Sequence, residues 1–260
     1  MPRPAALLSA LLLAAALPAC AAKPDGARPR AAGAAPLGDP FEAVNRRVLD
    51  FNFKVDEAVF RPVAVFYRRA VGPWARARVR NVLLNLNEPR VAANALLQAR
   101  PVAAGTSVMR FAVNSTLGLG GLFDLEPVGG PPRQAIDFGQ TLYAWGLPDG
   151  PYLVVPFVGP YTPRELAGDV GDGLVNPVTW ALPLGANLGR AAALGLDERE
   201  RNIGALDEIR NNSLDPYARL RSLWRQNRDA ELGAGVGGGG AAGDAIEVLD
   251  DPGAAPPAGR

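Results

Sequence analysis

The chain reads as an all-α protein. Three observations carry that reading: proline-led helix starts, apolar residues recurring at helical spacing, and a near absence of alternating strand patterns. Asp39-Pro40-Phe41-Glu42 offers an N-cap, a proline at the first helical position and an acidic residue just inside. Thr162-Pro163-Arg164-Glu165 repeats that start, and Asp215-Pro216 is a shorter version. Pro62 is expected to end or kink the first helix, because the residue before a proline is biased away from helical angles. Gly72-Pro73, Pro89 and Pro101 mark further joints, leaving apolar helical stretches at 63–71, 74–88, 90–100 and 102–117. Only residues 152–158, Tyr-Leu-Val-Val-Pro-Phe-Val, look extended, and Pro156 argues against a central strand.

The first helix carries two apolar stripes. Phe41, Val44, Val48, Phe51, Val55 and Val59 recur at spacings of three and four. Leu49, Phe53 and Phe60 form a second stripe, roughly 140° around the helix at about 100° per residue. A helix buried on one side needs only one stripe. Either a neighbouring helix covers the second, or it meets lipid or a membrane partner. The pattern leaves both open, and Leu49, Phe53 and Phe60 are the candidate lipid contacts.

The N-terminus has the form of a secretory signal. Arg3 precedes a run from Ala5 to Ala16 built only of Ala and Leu apart from Ser9, too short for the roughly 20 residues that cross a bilayer. Leu17-Pro18-Ala19-Cys20 resembles the lipobox of bacterial lipoproteins, which makes residues 1–19 the signal peptide and Cys20 the lipidated first residue. Cys20 is the sole cysteine, so no internal disulfide can use it. No acidic residue follows it, which favours the outer membrane as destination. Residues 20–38, rich in Ala, Pro, Gly and Arg, read as a flexible tether. The folded body is expected at 39–230, and the Gly/Ala/Pro-rich 231–260 as a disordered tail.

Composition narrows the chemistry. A formal charge of +1 gives no electrostatic footprint for nucleic acid, so none is expected as a partner. The chain has no histidine, which removes the usual general base and the common zinc ligand sets. Leu117-Gly118-Leu119-Gly120-Gly121 lacks the Lys-Ser/Thr of a phosphate loop and follows a helix, so a C-terminal turn and hinge explain it better. Asp169 and Asp172 sit three apart, but a calcium loop needs more oxygen ligands. No cofactor or metal is expected. A scaffolding lipoprotein and a carboxylate-dependent envelope hydrolase stand as rivals to any transport reading.

Several ordered blocks resemble the MlaA/VacJ family of outer-membrane lipoproteins. They are Asp39-Pro-Phe-Glu-Ala-Val-Asn45-Arg with Asp50-Phe-Asn-Phe53 and Arg61-Pro-Val-Ala64; Asn85-Leu-Asn-Glu-Pro89; and Arg110-Phe-Ala-Val-Asn114 through Gly121. Phe138-Gly-Gln-Thr-Leu142, Gly150-Pro-Tyr152, Gly168-Asp169, Asp172-Gly173 and Asn176-Pro177 follow in order. The resemblance implies a single ring-like domain of amphipathic helices in the inner leaflet of the outer membrane, associated with a trimeric porin. It implies that phospholipid passes through to a periplasmic lipid carrier, without catalysis, maintaining lipid asymmetry. It also implies that Gly118, Gly120 and Gly121 are a hinge or gate, opening a hairpin-like segment that runs to about Asp137.

Overall fold

The computed structural model describes residues 39–237. The signal peptide, Cys20, the tether and residues 238–260 lie outside the described residues. Helices dominate: α1 (Glu42–Val55), α2 (Arg61–Ala70), α3 (Pro73–Asn85), α4 (Glu88–Leu97), α5 (Pro101–Thr116), α6 (Phe138–Ala144), α7 (Pro163–Val175), α8 (Pro177–Ala181), α9 (Leu184–Arg201), α10 (Ile203–Asn212) and α11 (Pro216–Gly237). Two short strands, β1 (Leu153–Val155) and β2 (Gly159–Tyr161), pair as an antiparallel hairpin with Pro156 in its turn. The only segment expected to be extended is thus the hairpin.

Most helix starts follow the punctuation. Thr162 closes a full capping box: its hydroxyl accepts from the Glu165 N–H, and the Glu165 carboxylate accepts from the Thr162 N–H. Asp215 Oδ1 accepts from the Ala218 N–H at 3.1 Å, and Asp137 Oδ1 from the Gln140 N–H at 2.6 Å. At the first helix Asp39 caps the Phe41 N–H at 3.2 Å, while regular helix begins only at Glu42.

Two expectations need correction. Pro62 neither ends nor breaks the helix, because a π-helical turn over Asp56–Phe60 lets α1 run on into α2. The widened turn relieves the clash between a helical proline ring and the preceding turn. The other concerns the C-terminal boundary. α11 continues to Gly237, past the expected end at residue 230. Leu232 is buried there, and Glu231 accepts from Arg228 at 2.9 Å, contacts that a Gly/Ala-rich composition does not announce.

The contacts close a circuit. α2 packs on α9, α9 on α3, α3 on α5, α5 on α4, and α4 on α6 and α7. Arg228 of α11 then binds Asp137 at the α6 N-cap (2.8 Å) and Glu165 of α7 (2.6 Å). Further back along α11, Tyr217 and Trp224 pack with Tyr152, Val154 and Leu49, which returns the circuit to α1 and β1. The domain is ring-like, with separate apolar clusters in place of one central core: the Leu49 group, and Val91, Ala95, Ala104 and Ile136. Where α6 meets α7 the helices all but touch. A Cβ on Gly171 would fall 2.2 Å from a Phe138 ring carbon, and one on Gly168 would fall 2.7 Å from the Gly139 nitrogen.

Candidate functional site

The ring wall is turned inside out relative to a water-soluble domain. Its buried side chains include at least as many polar or charged residues as apolar ones, while large apolar side chains stand exposed on most elements. Helix α5 shows the inversion most simply: Ala104, Ser107, Arg110 and Asn114 point inward, and Val102, Val108 and Met109 point outward. α7 buries Arg164, Glu165 and Asp172 while exposing Val170 and Leu174. α9 buries Asp197 and Glu200 while exposing Leu184 and Leu188. Scattered exposed apolar residues are ordinary, but buried polar faces opposite large exposed apolar ones are not. No described helix is long and apolar enough to cross a membrane.

The stripes of α1 divide in the opposite sense to the lipid-contact expectation. Leu49 is only 4 % exposed and packs against Tyr152 and Tyr217, with Phe53 half-buried beside it. The neighbour that covers them is the β1 strand together with α11, so these two face protein. Phe60 remains 41 % exposed. Most of the other stripe faces outward: Phe41, Val44, Phe51 and Val59 are exposed, whereas Val48 packs on the Leu49 group and Val55 is half-buried; beyond the π turn exposed Val63 and Phe66 of α2 continue it. Phe51 also stacks edge-on against exposed Phe157 in the hairpin turn, with centroids 5.2 Å apart. Asn45 locks this assembly from within, accepting from the Val154 N–H at 2.9 Å and donating to the Tyr152 carbonyl at 3.0 Å. Periodicity could not single out Asn45, because it lies between the stripes.

Gly118, Gly120 and Gly121 lie in one tight turn after α5. Gly120 and Gly121 have φ of +74° and +88°, a conformation that favours glycine. A Cβ on Gly121 would fall 2.7 Å from Asn85 of α3, and one on Gly118 would fall 2.4 Å from two backbone carbonyl oxygens. Only at Gly120 is the space open. Two of the three glycines are therefore demanded by close packing, which fixes the turn against α3.

What holds the following loop is Arg110, a residue that sequence reasoning did not select. Its guanidinium is 3 % exposed. It donates to Glu88 at 2.8 Å, to Asp124 at 2.5 Å, to Glu126 at 2.9 Å and to the Pro131 carbonyl at 2.9 Å. Asn114, one turn on, accepts from the Leu125 N–H at 3.1 Å. Burial nevertheless pushes the Glu88 carboxyl above its ordinary pKa, against the pull of Arg110. The one available signal was the spacing of Ser107, Arg110 and Asn114 on a single face of an apolar helix.

Close to this hub lies Arg133. It is solvent-exposed, yet surrounding protein desolvates it and holds its pKa below the ordinary arginine range, with Arg110 and Arg201 adding repulsion. The two carboxylates weighed for catalysis are occupied structurally. Asp172 receives Arg90, Asn94 (2.6 Å) and the Phe138 N–H (3.0 Å), and Asp169 receives the Tyr161 hydroxyl at 2.7 Å. Among the described residues no group of three or more acidic, Cys or His side chains could hold a metal.

One surface pair has a measurable pH signature. Arg46 grips Asp215 through both terminal nitrogens, at 2.9 and 2.7 Å, holding its carboxyl down at about 2. A carboxylate depressed on folding stabilises above its unfolded pKa of about 3.9, and that contribution is lost as pH falls through the folded value. Because the pair is about two-fifths exposed, its worth is at most about 1 kcal/mol. Arg46→Ala should therefore lower stability in denaturant titrations near neutral pH. The gap to wild type should close as pH falls from about 4 toward 2, and a gap unchanged at acid pH would contradict the pairing.

Comparison with known proteins matches this geometry. A family model described as MlaA lipoprotein matches residues 37–231. The intermembrane phospholipid transport system lipoprotein MlaA of Escherichia coli is 35% identical over 195 residues, 74% of this chain and 77% of its own length. Its namesake from Haemophilus influenzae is 30% identical over 235 residues, 88% of this chain and 91% of its own. A structure solved to explain the maintenance of bacterial outer-membrane lipid asymmetry superposes with a TM-score of 0.67 at 34% identity, covering 75% of this chain and 99% of the other. A helical domain matched by sequence along nearly its whole described length makes this chain a member of the MlaA lipoprotein family.

Proposed function

We propose that this protein is the outer-membrane lipoprotein of an intermembrane phospholipid transport system. It removes mislocalised phospholipid from the outer leaflet and passes it to a periplasmic carrier, acting as a conduit and not as an enzyme. The observation that carries the reading is the inverted wall: large apolar side chains stand exposed on most helices, over a buried interior rich in paired polar groups. Where acyl chains replace water outside, apolar residues can face outward, and the polar groups of the wall must be satisfied within the protein. Arg133, exposed beside the Arg110 hub, is suited to meet a lipid phosphate. The loop pinned by Arg110, entered through the turn of Gly118, Gly120 and Gly121, is the candidate gate. Acylation at Cys20 would attach the ring to the inner leaflet, and the exposed stripe from Phe41 to Phe66 would seat it. A trimeric porin is the proposed neighbour in the membrane.

The test is genetic and chemical. Deleting the gene should raise outer-leaflet phospholipid, and the intact gene should restore it. Cys20→Ser should fail to restore it while the protein accumulates away from the outer membrane. Unchanged outer-leaflet phospholipid in the deletion strain would sink the transport reading and leave the scaffolding one.

A further inference from the structure

A single face of α3 carries Trp74, Arg78, Asn81 and Asn85 at spacings of four, three and four. The glycine turn and its continuation lie along that face. Asn81 donates to the Leu122 carbonyl at 3.1 Å, Gly121 abuts Asn85, and the Phe123 ring sits 4.7 Å from the Arg78 guanidinium. The Trp74 ring centroid lies 5.4 Å from the same guanidinium. Trp74 is 66 % exposed, and Leu117 and Leu119 of the turn are more than half exposed.

Arg78 itself is unspent. Among the described residues it has no carboxylate within ion-pair distance and no hydrogen-bond acceptor; its recorded interactions are the two ring contacts. Its Nε is shut off from solvent, while the two terminal nitrogens are not. Most arginines of this domain do find a carboxylate, among them Arg46, Arg61, Arg68, Arg80, Arg90 and Arg110. A planar fork with two free donors, held near two aromatic rings and ringed by exposed apolar side chains, matches the boundary where acyl chains give way to phosphates. Tryptophan concentrates at that level, and guanidinium binds phosphate oxygens in bidentate fashion.

We propose that Arg78, braced by Trp74 and Phe123, is a docking site for the phosphate of a membrane phospholipid and fixes the depth at which the glycine turn sits in the leaflet. The proposal rests on the membrane seating proposed above and adds to it a specific headgroup contact. It concerns the start of the loop that Arg110 holds further on, at Asp124.

The test is co-sedimentation of the full chain carrying Cys20→Ser, so that acylation does not mask weaker contacts; its leader is common to every arm. Vesicles of phosphatidylglycerol are compared with vesicles of digalactosyldiacylglycerol, which carries no phosphate. Arg78→Ala should weaken phosphatidylglycerol binding about fivefold, the contribution of one basic residue at an anionic surface, and leave the galactolipid unchanged. Trp74→Ala should weaken both. Arg69→Ala, an exposed arginine of α2, is the control for unspecific attraction. Equal losses for Arg69→Ala and Arg78→Ala would overturn the proposal, as would unchanged binding by Arg78→Ala. Displacement by inorganic phosphate would instead show a free-anion site and overturn it too. If the wild-type side chains bind neither vesicle, the seating falls together with the headgroup contact.

Discussion

Arg110→Ala is expected to destabilise the domain by about 3–5 kcal/mol and to open the segment between Gly121 and Arg133 to protease. The arginine is buried and bridges Glu88 on α4 to Asp124, Glu126 and the Pro131 carbonyl in the loop. Removing it leaves Glu88 almost fully buried without its hydrogen-bonded cation, with only the more distant charge of Arg133 to offset it, and burial already works against its charge. Truncating one partner of a buried ion pair costs much more than replacing both. The double variant Arg110→Met/Glu88→Gln should therefore recover part of the stability while leaving the loop unlatched. Denaturant titration of the full chain reads the first effect, and limited proteolysis reads the second. A loss under about 1 kcal/mol with the loop still protected would show that Arg110 is not its anchor. If the loop gates lipid passage as proposed, the double variant should also shift outer-leaflet phospholipid, separating gating from folding.

Substitutions on the two stripes of α1 should part company just as sharply. Leu49→Asp buries a carboxylate among Tyr152, Val154 and Tyr217 and should cost about 3 kcal/mol. Val44→Asp/Val59→Asp, at two exposed positions, should change stability of the detergent-solubilised chain by no more than about 1 kcal/mol. The same double variant should fail to restore lipid asymmetry, because a carboxylate that must enter the acyl region is expensive wherever it sits. Thermal melts by circular dichroism and outer-leaflet phospholipid assays report the two quantities independently. Full complementation by Val44→Asp/Val59→Asp would mean that this stripe does not face lipid.

The same two stripes mark how far the sequence could be read. Their spacing was visible in the chain, as were the helix starts at Thr162 and Asp215, the breaks at Pro73 and Pro101, and the extended segment around Val154. Those features are local: a cap, a proline ring or a periodicity acts within a few residues, so neighbouring letters suffice to specify it. Pro62 escaped the same logic, since a π turn can absorb a proline that would otherwise stop a helix.

What the chain alone determined, then, is a set of amphipathic helices, their ends and the ordered blocks that mark the family. Which stripe faces inward was decided by tertiary structure. Leu49 and Phe53 are covered because β1 and Tyr217, more than a hundred residues away, come to lie on them. Val44 and Phe51 are left outside, although both stripes are equally apolar. Likewise Arg110 became a hub only when α4 and the loop from Asp124 to Pro131 converged on it. Periodicity fixes the angle between faces of a helix but carries no information about the partner each face will meet. Here one apolar stripe is covered by protein and most of the other is left exposed, so apolar character by itself could assign neither.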